Sequence, residues 1–224
     1  MSLRYCFLNR GHALAVFLTL AVCISLISGC GRKTHPETQA YNIDTSDVYS
    51  LEVVKDRKEK DLHFLRDASS PLLESDRAEF EGLPYFPLDR TWAFECTLQR
   101  FPQPKAFVMA TSKDSPRDML HIGYLPFTRD GKEHRLNVFA PRDTSDGNYW
   151  FIPFTDASTG GETYAGGRFL DIESPGSDTV FLDFNYAYNP LCAYNPKYDC
   201  PIPPAENRLA IAIPAGEKKF KAGH

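Results

Sequence analysis

Four side chains in the second half of the chain have the chemistry of a ligand clamp or an acid–base site: Glu162, Arg168, Asp183 and Asn185. Arginine is always charged and bonds carboxylates and other anions in bidentate fashion. A carboxylate can move a proton, and a carboxamide donates and accepts at once. Pleat alternation along Val180–Asn185 sends Asp183 and Asn185 to one face, opposite Val180, Leu182 and Phe184. In the preceding strand Arg168, Leu170 and Ile172 share a face, with Phe169 and Asp171 on the other. Glu162 and Arg168 have equal parity, but an extended chain holds them about 20 Å apart. They meet only if Gly166-Gly167 bends the chain, as paired glycines readily do. The expectation is that the four meet near the rim of a sheet. The plainer alternative for each is a contact that fixes strand register.

Other reaction templates find no footing. Asp156 to Glu162 alternates oxygen-bearing with flexible residues but lacks the spacing of an EF-hand, so a solvated turn is the simpler reading. The stretch "TGGETYAGG" has neither the phosphate-loop lysine nor the dinucleotide fingerprint. Ser158 sits in no nucleophile elbow. His63 falls on a helix, and His121 and His134 on strands, without metal-ligand spacing. No metal and no cofactor is expected. Acid–base work by Asp156, Glu162, Asp171 or Asp183 needs convergence in space, which no spacing here demonstrates.

The chain opens on an address. Arg4 and Arg10 supply a positive start, and Ala13–Ile27 is an uncharged apolar run, short for a membrane span. Ile27-Ser28-Gly29-Cys30 resembles a bacterial lipobox, which implies cleavage before Cys30 and acylation of its thiol. Residues 1–29 then form the signal, residues 30–44 a polar tether, and residues 45–224 a single domain. The protein is expected in the bacterial cell envelope, held on the membrane by its lipid. Gly31 stands where an aspartate would favour inner-membrane retention, which points to the outer membrane, facing the periplasm, where the host has one. The net charge of −4, mixed in sign and without a basic stripe, argues against nucleic acid as a partner. Of the six cysteines, Cys96, Cys192 and Cys200 would then reside in an oxidising compartment. Cys96 alternates with Trp92, Phe94 and Leu98 and reads as a buried, inert thiol. Cys192 and Cys200 are close in sequence with prolines between and after them, and a disulfide is expected; two buried thiols are the alternative.

These groups must be positioned by few regular elements. Ser46 to about Arg66 reads as a helix with Ser46 as cap and Leu51, Val54, Leu62 and Leu65 near one face, its charged remainder solvated. After Pro71 the period changes to that of strands. Thr91–Leu98, Ala106–Thr111, Met119–Thr128, Glu133–Ala140, Tyr149–Phe154, Arg168–Glu173, Thr179–Asn185 and Arg208–Pro214 are the candidates. Asp130-Gly131 marks a hairpin turn and Asp146-Gly147 another turn. The fold class is mainly β: one antiparallel domain, barrel-like or sandwich, preceded by one helix.

Between the last two candidate strands, "DFNYAYNPLCAYNPKYDCPIPPAENRL" is too rich in Asn, Tyr and Pro for helix or regular strand. Its asparagines suit the pinning of irregular backbone, and its tyrosines can cover core while keeping their hydroxyls paired. "FTDASTGGETYAGGRFLDIE", "LDFNYAYNPLCAYN" and "CPIPPAENRL" together resemble the bacterial and archaeal family of domains of unknown function numbered sixteen eighty-four. The likeness runs from about Asp56 to the C-terminus, with echoes in "FEGLPYFPLD" and "GYLPF". It implies one recurring domain, often attached to export signals, and carries no activity with it. Three functional readings follow. The first is a binding or envelope-interaction module for a small polar or glycan ligand. The second is a hydrolase-like enzyme using carboxylates and Arg168, and the third a purely structural lipoprotein.

Overall fold

The computed structural model describes residues 47–143, 149–173 and 176–221. The signal, Cys30, the tether and the Asp146-Gly147 turn lie outside them. The chain runs α1 (Val48–Arg66), α2 (Glu74–Arg77), β1 (Ala93–Thr97), β2 (Gln99–Met109), β3 (Arg117–Arg129), β4 (Lys132–Pro141), β5 (Tyr149–Phe154), β6 (Arg168–Glu173) and β7 (Thr179–Asp183). Strands β2 to β6 form a five-stranded antiparallel sheet in chain order, and β1 pairs with β7 in a second, two-stranded one. The architecture is mainly β and sandwich-like. The main core lies between the sheets: Trp92, Cys96, Leu98, Val180 and Leu182 meet Leu125, Leu136, Val138, Trp150, Ile152 and Leu170.

Local chemistry accounts for much of this. Asp130 and Gly131, both at positive φ (51° and 73°), make the tight turn between β3 and β4, the conformation that a two-residue Asp-Gly loop favours. Trp92, Phe94, Cys96 and Leu98 turn inward as their alternation predicts, and burial pushes the Cys96 thiol up to about 11. At Gly123 the β3 ladder shifts register, and an added Cβ would stand 2.3 Å from the Gln99 carbonyl oxygen. Only glycine fits there.

Three expectations are corrected. The α1 cap is Asp47, not Ser46, its carboxylate accepting from the Ser50 N–H. The buried face of α1 is Val53, Val54, Arg57, Asp61 and Phe64, whereas Leu51 is exposed. Charge on this helix is therefore not all solvated. Arg57 donates to the carbonyls of Phe86 and Asn185, and Asp61 accepts from the Leu83 N–H at 2.9 Å. These groups satisfy irregular backbone that no ladder serves. Third, Arg208–Pro214 is no strand. Arg208 makes one bridge to Thr155, and the chain beyond is irregular.

The large sheet is covered on both faces. Met109, Met119, Phe139, Phe151 and Phe169 form a separate buried cluster away from the main core. The Asn- and Pro-rich passage borders it and is tied to both sheet edges. Tyr188 exchanges two backbone hydrogen bonds with Phe169 of edge strand β6. Ile202 N–H donates to Ala110 O, and Ser112 N–H to Cys200 O, just beyond edge strand β2. Residues 188–202 are thus a strap from one edge of the sheet to the other. On β6 the strap occupies the outward backbone groups of Phe169, which would otherwise be open to another chain.

Candidate functional site

The four residues expected to converge fall into separate networks. Arg168, 1% exposed, pairs with Asp156 at 2.6 Å. It also donates to the carbonyls of Ile213 (2.9 Å), Ala215 and Glu217 (3.2 Å). One guanidinium thereby satisfies three carbonyls of the C-terminal segment that no strand partner reaches, which is why that segment need not be a strand. Burial pulls the Arg168 pKa down while Asp156 opposes the shift. Asp156 is itself held by the Ser158 N–H at 2.6 Å. Partnership with Asp156, not with Glu162 or Asp183, is the correction here. The two are 12 residues apart, across the bend at Gly167, where φ is +84°.

Asp183 and Asn185 do meet, but by a turn rather than by strand parity. The strand ends at Asp183, whose carboxylate accepts from the Asn185 N–H at 2.9 Å and caps a 3-10 turn over Phe184–Tyr186. The Asn185 amide donates to Tyr49 Oη, Asp89 O and Asp183 and accepts from the Asp89 N–H. Tyr49 in turn donates to Asp183 at 2.7 Å. This network docks the start of α1 on β7. Glu162 is exposed, with the Lys218 ammonium at 3.9 Å. Asn185 borders a hollow of about 280 Å³ that also touches Lys60, Tyr188 and Glu217.

Cys192 and Cys200 are adjacent thiols. The Cys192 N–H donates to the Cys200 sulfur at 3.1 Å, and the Tyr164 hydroxyl approaches the Cys192 sulfur at 3.7 Å. Hydrogen bonding from Cys200, then from Tyr164, draws the Cys192 thiol down to about 6, while the hydrogen bond to Cys192 and burial push the Cys200 thiol up.

The larger cavity is elsewhere. A cleft of about 860 Å³ opens between the outer face of the five-stranded sheet and the strap. Its floor is apolar: Met109, Met119, Phe151 and Phe169. Tyr149, Tyr188 and Tyr198 add aromatic surface, and Arg117, Asp118, Arg142, Asp143, Asp171 and Asp199 bring charge. Arg142 and Asp118 stand 3.8 Å apart, and both are well exposed. Arg117 donates to the Asp199 carbonyl at 3.0 Å, and the Asp199 carboxylate accepts from Thr111 and the Lys113 N–H.

Asp171 sits on β6 at the boundary of both cavities, directly opposite Phe151 in the sheet register. Its carboxylate accepts from the Tyr188 hydroxyl. The carboxyl stays open to solvent, yet strand, strap and helix crowd round it. Desolvation lifts its pKa above the ordinary carboxylate value, against the pull of Tyr188 and Lys60. Burial, then the Asp171 charge, drives the Tyr188 hydroxyl well upward. Lys60 is bonded to Glu217, and its ammonium lies 4.9 Å from the Tyr188 ring centroid.

Parity reading placed Asp171 opposite Leu170, and the structure agrees, but it offered no reason to set this carboxylate above the others. The missed signal was strand β5. "YWFIPF" has no polar face, and a strand apolar on both sides is one covered on both sides.

Residues 78–218 match a family model described as protein of unknown function (DUF1684). The solution NMR structure of the uncharacterised protein from gene locus rrnAC0354 of Haloarcula marismortui is similar at a TM-score of 0.60 and 35% identity. That likeness covers 76% of this chain and 94% of that one. Among curated proteins nothing matches.

Proposed function

The chain belongs to the DUF1684 family, and we propose that it is a lipid-anchored binding module of the bacterial cell envelope that holds a small amphipathic molecule in the strap cleft. The observation that carries this is the cleft itself. An apolar floor with charged groups around it, in a volume of about 860 Å³, matches the dimensions and chemistry of small-molecule sites. The Ile27-Ser28-Gly29-Cys30 motif supports anchoring through Cys30, on the outer membrane facing the periplasm where there is one. Acyl chains contribute roughly 0.8 kcal/mol per buried CH₂, so a multiply acylated cysteine would hold the domain firmly.

Two measurements test the proposal. Palmitate label should enter the wild type and not Cys30→Ser; an unlabelled, fully soluble wild type overturns the anchor. Affinity-purified full-length protein should carry a small molecule from an envelope extract, released on denaturation. Met119→Trp, which fills the floor, should carry none while melting within a few degrees of the wild type. Equal loads on both proteins, or none on the wild type, overturn the binding role.

One observation favours a second reading. A carboxyl lifted in pKa and hydrogen-bonded to a tyrosine, at the edge of a cleft, is how a general acid–base residue is equipped. Under that reading a supplied ligand is turned over by the wild type and not by Asp171→Asn.

A further inference from the structure

The binding role leaves the class of ligand open, and the arrangement of charge in the cleft narrows it. We infer that the strap cleft takes an amphipathic organic cation, its apolar body on Met109, Met119, Phe151 and Phe169 and its protonated amine at Asp171. This rests on the cleft being a ligand site.

Three observations carry it. The charged residues lining the cleft are two arginines against four aspartates, so its field disfavours anions. Both arginines have acceptors, Arg142 at the Asp118 carboxylate and Arg117 at the Asp199 carbonyl. Asp199 is already supplied with donors by Thr111 and Lys113, which leaves it little capacity for a ligand.

Asp171 differs. Its carboxylate receives a hydrogen bond from Tyr188 and makes no ion pair among the described residues. Lys60, the cation whose field reaches it, is bonded to Glu217. A partly desolvated carboxylate without a counter-ion is stabilised by an incoming ammonium, which forms a charge-assisted hydrogen bond with it.

The third observation is the company Asp171 keeps. Phe151 is its direct cross-strand neighbour, and Phe169 precedes it by two residues on the same face of β6. Directly opposed residues have Cβ atoms about 5 Å apart, so an amine at Asp171 lies alongside the ring of Phe151. Tyr149 and Tyr188 add further faces to the same lining. Aromatic rings attract a cation through their negative faces, whereas they gain nothing electrostatic from a neutral head group. The two methionines are unbranched and adapt to irregular apolar bodies. Body and head group therefore have adjoining, chemically distinct walls.

The test is a matched series with one body and three head groups: 4-phenylbutylamine, 4-phenylbutan-1-ol and 4-phenylbutanoate. Full-length protein in nanodiscs of zwitterionic lipid is titrated calorimetrically at neutral pH, with empty nanodiscs as blank. The amine should bind at least about 10-fold more tightly than the alcohol, the difference between a charge-assisted and a neutral hydrogen bond. The carboxylate should be weakest. Asp171→Asn should remove the preference for the amine while still binding the alcohol. Tyr188→Phe, which keeps the charge, should retain the preference. Equal binding of amine and alcohol by the wild type, or a preference for the carboxylate, overturns the cation assignment and leaves the cleft as a binding site. An amine preference that survives Asp171→Asn overturns the role of Asp171. If none of the three probes binds, the cleft reading falls and this inference falls with it. The wild-type series decides the class even if a variant fails to fold.

Discussion

Replacing Arg168 by methionine should cost more stability than most single changes in this protein. The substitution keeps an unbranched stem and deletes a guanidinium that is 1% exposed. Asp156 then loses its ion-pair partner, and the carbonyls of Ile213, Ala215 and Glu217 lose a charged donor. Breaking a buried pair by removing one partner costs about 3–5 kcal/mol, because an uncompensated charge stays behind. The lost donors push toward the upper end of that range. With a urea dependence of about 2 kcal/mol per molar, the unfolding midpoint should fall by roughly 1.5–2.5 M. A second substitution separates the charge from the packing. Asp156→Asn in the Arg168→Met background removes the stranded charge and keeps an acceptor for Ser158, which binds Asp156 through its N–H. The double variant should recover about 1–2 kcal/mol over Arg168→Met alone, a non-additivity that contacting residues show and distant ones do not. Midpoints from urea unfolding followed by far-ultraviolet circular dichroism give both numbers. A loss below about 1 kcal/mol for Arg168→Met, or no recovery in the double variant, would refute the claim that this pair organises the C-terminal segment.

Three further outcomes are expected. Asn207 is fully buried and ties strand β4 to the end of β5 through Asn137 N–H (2.7 Å), Asn137 O (3.0 Å) and Pro153 O (2.8 Å). Asn207→Ala should cost about 3 kcal/mol and lower the melting temperature by roughly 6–12 °C in a scanning calorimeter; a drop under about 2 °C contradicts it. In the reduced protein the Cys192 thiolate forms above pH about 6. Its iodoacetamide alkylation should therefore rise through that pH and level off below pH 8, where an ordinary thiol with pKa about 8.5 is still gaining reactivity, and Cys200 should stay unlabelled. An inflection at or above pH 8, read by mass spectrometry, counts against the hydrogen bonds assigned to that sulfur. Without reduction, the expected Cys192–Cys200 bond should leave Cys96 as the one of these three cysteines that alkylates after denaturation. Closing so short a loop would add about 2.5 kcal/mol in the chain-entropy account.

What could be read along the chain was whatever neighbouring residues settle among themselves. The alternation of Trp92, Phe94, Cys96 and Leu98 is such a property, as is the Asp130-Gly131 turn, whose backbone suits a hairpin and little else. The mainly β class followed from these signals, and so did the view that the Asn- and Pro-rich passage needs side chains to satisfy its backbone. Parity also gave the right face for Asp171. It failed at Asn185, because the strand ends at Asp183 and a 3-10 turn replaces the pleat. On α1 it was the helical face that misled, because Arg57 and Asp61 are buried where distant backbone needs their hydrogen bonds.

Only the tertiary structure decided which chemistry-bearing groups meet. Arg168 chose Asp156 and the carbonyls of residues 213–217, more than forty positions on, and no local pattern encodes that choice. The cleft draws its floor from β2, β3, β5 and β6 and its opposite wall from a strap that reaches both sheet edges. Its existence depends on closing loops of tens of residues, whose entropy is offset only when the whole sheet forms at once. A strand apolar on both faces announced that something covers it. What covers it, and that a carboxylate sits at the edge of the gap, followed from the packing of segments far apart in the chain.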